Sequence, residues 1–187
     1  MKLAAEFDAT LALTDVAPGC PANLAKQISL GLRWTPEGDA LSELVFLEGA
    51  VNKTAAAKAT VCGAREPLLE ITRQQLIAWF KDPSFRFSVP LAKPPTGFQA
   101  KLRNFLLSMP SGTTCTYGNL ADQLNSAPRA VGQALGSNNL PLIVPCHRVI
   151  SAGKNRLTGF NHKSDGVMLE LKAWLLAREV PGLNLHA

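Results

Sequence analysis

Two hydrophobic rhythms divide this 187-residue chain. Before about residue 90, strand-like runs dominate. Gln27 to Trp34 and Glu43 to Leu47 are rich in strand formers, and Phe85 to Val89 alternates apolar and polar side chains with a period of two. One segment there is helical in pattern: Leu68 to Lys81, with Leu69, Leu76, Ile77 and Phe80 near helical spacing and Asp82-Pro83 as the stop. Beyond residue 97 the helical period takes over. Phe98 to Met109 is predicted as one helix, ended by Pro110-Ser-Gly112, and Tyr117 to Leu124 as a second, closed by Asn125-Ser126. A third starts near Pro128, where a missing N–H costs nothing, and runs to about Leu135. The last, Val167 to Glu179, carries Val167, Leu171, Trp174 and Leu175 as its stripe and terminates at Pro181-Gly182.

The two regimes meet at Ser88-Val-Pro-Leu-Ala-Lys-Pro-Pro-Thr-Gly97, whose three prolines favour extended and turn conformations. The expected fold class is therefore α+β: a small α/β domain over residues 1–92, then a mainly helical domain over 93–187.

Composition narrows the class. With 47% hydrophobic and 18% charged residues the chain can bury a core, so a soluble globular protein is expected. No apolar run approaches a membrane span, and Glu6 and Asp8 interrupt any signal-peptide core. Four cysteines at 20, 62, 115 and 146 show no paired spacing, and all three histidines lie at or beyond 147, so no zinc-site spacing is visible. Reduced thiols and a cytoplasmic location follow as the expectation, with Cys20 and Cys62 structural or incidental. The net charge of +5 resides entirely in residues 96–187, which carry nine basic and four acidic side chains. That is a modest electrostatic footprint for a polyanion.

Chemistry concentrates in Val144-Pro-Cys-His-Arg-Val149. Pro145 fixes its own φ and removes a donor, holding a defined turn around Cys146. A thiol becomes a useful nucleophile as thiolate, which a nearby base or positive charge promotes; His147 and Arg148 are of the right types. Adjacent residues do not face each other on an extended chain, so help from His147 needs a turn or a water. Glu179 falls in the last turn of its helix, where the helix dipole disfavours a carboxylate; His147 is the obvious partner for it. Arg148 reads as a structural ion-pair partner. Upstream, Arg129-Ala-Val-Gly-Gln-Ala-Leu-Gly136 places Gly132 and Gly136 on one face near Arg129. Glycine costs helix stability. Its repetition here fits either close helix packing or a thin surface that enters a DNA groove with Arg129 projecting.

Taken in order, these motifs resemble the O6-alkylguanine-DNA alkyltransferase family, the methylated-DNA–protein-cysteine methyltransferases. The resemblance covers roughly residues 90 to 180. It rests on Thr116-Tyr-Gly-Asn-Leu-Ala121, Arg129-Ala-Val-Gly-Gln-Ala-Leu135, Asn138 and Pro141, Ile143-Val-Pro-Cys-His-Arg-Val-Ile150, Leu157-Thr-Gly159 and Trp174-Leu-Leu-Ala-Arg-Glu179. It implies a ribonuclease H-like N-terminal domain and a helix-turn-helix, winged-helix-like C-terminal domain. The implied activity is DNA repair by irreversible, single-turnover transfer of the alkyl group from guanine O6 to Cys146. The implied partner is double-stranded DNA carrying O6-alkylguanine, met by a monomer with neither cofactor nor metal.

The resemblance also implies roles. Glu179 orients His147, which deprotonates Cys146 through a water, and Asn138 braces the turn leading to the cysteine. Arg129 fills the stack vacated by a flipped nucleotide, with Thr116, Tyr117, Ala130 and Gly132 at the DNA surface. Tyr117 bonds the base and donates a proton as guanine leaves. Val149, Phe160 and Asn161 join Tyr117 in the base pocket, with the carbonyls of Cys146 and Val149 accepting from the guanine amine. Thr116 and Asn138 also suit simple capping, and Tyr117 a core aromatic with a satisfied hydroxyl.

Departures from the family pattern cluster after Gly159, where Phe160-Asn-His-Lys163 replaces the usual aromatic-Gly-Gly run. The loop between Ile150 and Leu157 is slightly longer and basic, Asn139 stands where proline is common, and Arg103 where tryptophan is frequent in bacterial relatives. Two rivals to alkyl transfer are a lesion-binding protein that flips the base without reacting, and a cysteine hydrolase. The former lacks the reactive cysteine that is present here, and no sequence feature supplies the oxyanion hole that the latter needs.

Overall fold

The computed structural model describes residues 7–49, 66–153, 157–160 and 165–183. Asn161 and Cys62, like Lys154, Arg156, His162 and Lys163, lie outside them. The fold mixes helices with small sheets in two compact units, residues 1–93 and 94–187.

In the first unit, β1 (Ala9–Ala12), β2 (Ile28–Trp34) and β3 (Leu41–Glu48) form an antiparallel sheet in the order β1-β2-β3. The central β2 is covered along nearly its whole length, as its apolar run Ile28, Leu30, Leu32 and Trp34 requires. Arg33 opposes Glu43 in the β2–β3 register and pairs with it at 3.1 Å, which compensates a carboxylate that is 4% exposed. Two short helices, α1 (Leu13–Val16) and α2 (Ala22–Gln27), link β1 to β2. The long α3 (Glu66–Lys81) buries Leu68, Thr72, Leu76, Trp79 and Phe80, one face at helical spacing. Thr72 is tolerated inside because its hydroxyl donates back to the Leu68 carbonyl at 2.7 Å.

The strand expected over Phe85 to Val89 does not form. Its backbone donors go elsewhere: the Ser88 and Val89 N–H groups both donate to Gln75 Oε1 on α3, at 2.8 and 3.1 Å. A side chain thus replaces the ladder. The period-two alternation reflects an edge-to-face Phe85–Phe87 pair, centroids 5.9 Å apart, rather than a sheet.

The second unit opens with α4 (Gly97–Ser108), capped by the Thr96 hydroxyl, which accepts from the Gln99 N–H at 3.1 Å. Leu102 and Leu106 form its buried face. A turn at Gly112 (φ 81°) leads into β4 (Cys115–Thr116). Next come α5 (Tyr117–Gln123) and α6 (Pro128–Gly136), joined through Asn125 in the left-handed region at φ 49°. Asparagine tolerates that conformation better than most residues. A 3₁₀ turn spans Cys146–Arg148, and β5 (Val149–Ile150) pairs in parallel with β4, setting Cys115 opposite Val149 and Thr116 opposite Ile150.

The last helix, α7 (Gly166–Glu179), buries Met168, Leu171, Lys172, Leu175, Leu176 and Glu179. Its buried stripe is rotated from the expected one: Val167 and Trp174 are only partly covered, and Trp174 lies under the Arg178 guanidinium, 5.3 Å from its ring centroid. Hydrophobicity alone cannot put a lysine and a glutamate on a core face. Among the described residues no helix is long and apolar enough to cross a membrane.

Candidate active site

Cys146 begins the 3₁₀ turn, and the chain ahead of it is tightly braced. Asn138, just past α6, donates from Nδ2 to the Val144 carbonyl at 3.0 Å and accepts at Oδ1 from the Leu140 N–H at 3.1 Å. One side chain thereby fixes both ends of the 140–144 segment. The Asn138 amide also favours the charged form of the Cys146 sulfur. Burial raises the Cys146 pKa. The Asn138 amide, the Lys172 charge and the N–H groups of Cys146 and His147 oppose it by favouring thiolate.

Turning the chain at Cys146 sends the next two side chains inward. His147 is completely buried, with Nε2 2.8 Å from Glu179 Oε1. Arg148 donates from Nε to Glu179 Oε2 at 2.7 Å and from Nη2 to Oε1 at 3.1 Å, a bidentate fork, while Nη1 reaches the Met109 carbonyl at 2.7 Å. The Gly112 N–H approaches Glu179 Oε2 at 3.4 Å. Burial alone would raise the Glu179 pKa; the bonds and charges of His147 and Arg148 outweigh it and hold it down to about 2. Glu179 is therefore ionised and can only accept, so the proton on Nε2 belongs to the imidazole. Burial lowers the His147 pKa despite Glu179, which leaves a neutral ring with a basic lone pair on Nδ1.

Tyr117, the first residue of α5, is half-buried, and the Thr158 side chain, itself bonded to Ser151 at 2.7 Å, favours its ionised form slightly. Burial pushes its pKa up, and the Cys146 charge pushes it the same way, so the phenol stays protonated. Small residues border the ring: a methyl group added at Gly132 would stand 4.0 Å from its Cε1, and one at Gly159 would stand 3.9 Å from its hydroxyl. Both are ordinary contact distances, so packing against Tyr117 does not by itself demand glycine at 132. Thr116 caps α5, accepting from the Asn119 N–H at 3.1 Å. Arg129 is exposed on the first turn of α6, with Ala130 and Gly132 partly covered beyond it. Phe160 is buried, 4% exposed. The Cys146 carbonyl already accepts from the Val149 N–H, and the Val149 carbonyl from Lys172, which leaves each one further lone pair. A separate cleft of about 300 Å³, lined by Thr114, Cys115, Thr116, Asn119, Ser151 and Gly153 among others, lies beside the β4–β5 pair rather than at the thiol. No cluster of three or more metal-type ligands occurs among the described residues.

One residue at the site escaped the sequence reading. Lys172, on α7, is 0% exposed, and its Nζ donates to the carbonyls of Val149 (2.8 Å), Thr158 (2.7 Å) and Gly159 (3.1 Å). Burial draws its pKa down to about 8, against the Cys146 charge, which raises it. The available signal was its neighbours at helical spacing: Met168, Leu175 and Leu176 stand four before, three after and four after it, all apolar.

A thiol held by a braced turn, an imidazole backed by an ionised carboxylate and an exposed arginine on a nearby short helix define a cysteine-nucleophile protein with a surface suited to DNA. Residues 97–180 match the family model described as 6-O-methylguanine DNA methyltransferase, DNA binding domain. The chain is 43% identical over 113 residues to the constitutive methylated-DNA–protein-cysteine methyltransferase of Bacillus subtilis. That match covers 59% of this chain and 65% of the relative, under two thirds of the latter's length. It also resembles the crystal structure of Mycobacterium tuberculosis O6-methylguanine methyltransferase (32% identity, TM-score 0.59), covering 83% of this chain and 89% of that one. A Mycobacterium tuberculosis OGT solved in complex with DNA gives 34% identity and a TM-score of 0.58 over 81% of this chain and 86% of that one. This chain belongs to the methylated-DNA–protein-cysteine methyltransferase family.

Proposed function

We propose that the protein repairs O6-alkylguanine in double-stranded DNA by moving the alkyl group irreversibly onto Cys146. The observation that carries this reading is a half-buried Cys146 followed directly by the buried His147–Glu179 pair, with His147 Nε2 2.8 Å from an ionised Glu179. Glu179 fixes the tautomer and leaves Nδ1 as the base, which takes the thiol proton through a water. The Cys146 thiolate attacks the alkyl carbon, the carbon–oxygen bond breaks, and the sulfur keeps the alkyl group as a thioether. The departing guanine gains a proton, which the Tyr117 hydroxyl donates. In this reading the thioether is stable and is not turned over, so each molecule acts once.

The base must leave the duplex to reach Cys146. In this reading α5 and α6 form the helix-turn-helix of a winged-helix-like unit, and α6 enters the minor groove. Arg129 occupies the vacated stack, and Thr116, Tyr117, Ala130 and Gly132 lie against the DNA. Val149, Phe160 and Tyr117 line the base pocket, and the first unit is ribonuclease H-like. We place residues 1–92 and 93–187 as its two domains and the protein as a cytoplasmic monomer.

Intact-protein mass after mixing with a duplex bearing one O6-methylguanine tests the reading, beside a Cys146→Ser control. A stoichiometric gain of one methyl, absent from the control, is expected. Lesion-selective binding without any gain would replace alkyl transfer by the lesion-binding alternative.

A further inference from the structure

A fully buried lysine with no carboxylate within ion-pair distance among the described residues is an unusual expense for a small domain. Lys172 bonds only carbonyl oxygens, which are dipoles without net charge. On its own helix Glu170 is only two residues away but exposed, on a different face, and the buried Glu179 is committed to His147 and Arg148. Counting the site's charges sharpens the problem. Arg148 and Glu179 cancel and His147 is neutral, so Lys172 leaves the site with one positive charge while Cys146 is a thiol. The site becomes neutral only when Cys146 is a thiolate.

The three carbonyls come from two segments. Val149 follows the cysteine turn directly, whereas Thr158 and Gly159 belong to the stretch that borders the Tyr117 hydroxyl. Only the ammonium form has three N–H groups to match three acceptors; a neutral amine has two. The protonated side chain therefore ties the Thr158–Gly159 stretch to the Cys146–Val149 turn and fixes both the thiol side and the phenol side of the pocket.

We propose that Lys172 is a positioning residue for alkyl transfer, a fixed counter-charge to the Cys146 thiolate that also clamps the Thr158–Gly159 stretch onto the cysteine turn. This rests on the alkyl-transfer reading for its purpose but not for its electrostatics. The groups that share the field are Tyr117 on α5, Cys115 on β4, and His147, Arg148 and Glu179 behind the turn. Lys172 acts on both Cys146 and His147: it favours the thiolate and disfavours the imidazolium.

The test is the pH profile of Cys146 alkylation by iodoacetamide, read by mass on the Cys146 peptide because other cysteines also react. The proteins are the wild type, Lys172→Met and Lys172→Arg, with methyl transfer from the O6-methylguanine duplex measured on the same stocks. Lys172→Met is expected to raise the midpoint by about one pH unit, an approximately tenfold loss of thiolate near neutrality. Lys172→Arg keeps the charge and is expected to recover most of it. Coincident midpoints in folded wild type and Lys172→Met would overturn the proposal.

Should Lys172→Met fail to fold, the wild type and Cys146→Ser decide through the reciprocal effect. With lysine labelled at Cε, the Lys172 titration is expected to move to lower pH when the thiolate is removed; an unmoved midpoint would overturn the proposal. Wild type that transfers no methyl yet shows this coupling would sink the alkyl-transfer reading and leave the electrostatic pairing standing. Methyl transfer without coupling would do the reverse.

Discussion

Replacing Glu179 by glutamine removes one charge from a site where two other side chains, His147 and Arg148, depend on it. The carboxylate is fully covered and accepts from His147 and twice from Arg148, at 2.8, 2.7 and 3.1 Å. Its pKa lies at about 2 against an ordinary 4.5, a depression worth roughly 3 kcal/mol at about 1.4 kcal/mol per unit. That stability is present in full above the unfolded-state pKa and is lost as pH falls through the folded-state value, so the window is about pH 4.5 down to 2. Glutamine also leaves Arg148 as a buried cation without its anion, and breaking such a pair costs about 3–5 kcal/mol. Urea denaturation at pH 7 is expected to show a loss of that order for Glu179→Gln. Repeated from pH 5 towards 2, the gap between wild type and variant is expected to close, because the wild type sheds what the variant never had. A loss below about 1 kcal/mol at pH 7, or a gap that stays constant across the acid range, would refute the reasoning. The first would mean that the paired carboxylate contributes no more than a surface ion pair, the second that the loss does not arise from its charge.

Two further perturbations separate bracing from DNA contact. Asn138→Ala leaves the Val144 carbonyl and the Leu140 N–H without their side-chain partner, and is expected to cost about 2–4 kcal/mol in urea denaturation. It also removes an amide that favours the thiolate, so Cys146 alkylation by iodoacetamide is expected to need higher pH. Arg129→Ala touches an exposed side chain and is expected to change stability by less than about 0.5 kcal/mol. Its effect belongs to DNA: weaker duplex binding in fluorescence anisotropy, with the slope of log affinity against log salt shallower by about one. An unchanged slope would remove Arg129 from the interface.

Much of the helical unit could be read from sequence because its boundaries are local chemistry. Thr96 and Thr116 cap, Pro128 opens, Gly112 and Asn125 turn; each acts within a few residues. The His147–Glu179 contact was also legible, since a carboxylate at the wrong end of a dipole calls for a partner. The errors arose where partners are distant in the chain. Phe85 to Val89 has a strand's alternation, but Gln75 takes its donors, and alternation carries no record of that. The parallel β4–β5 pair joins residues more than thirty positions apart through two residues each, too short to leave a period. Lys172 was passed over because lysine is almost never found in a core unless paired, and its acceptors are carbonyls, which every residue has.

Glu179 is also the last component of its site to be made. Met109, Gly112, His147 and Arg148 all meet its carboxylate or the arginine that grips it, and all precede it in the chain. During synthesis the cysteine emerges first, beside an imidazole with nothing to orient it and a guanidinium with no anion. Only when α7 emerges and docks do these parts become one unit. A nascent chain thus carries Cys146 beside an unpaired imidazole and guanidinium until the helix that ends in Glu179 has docked.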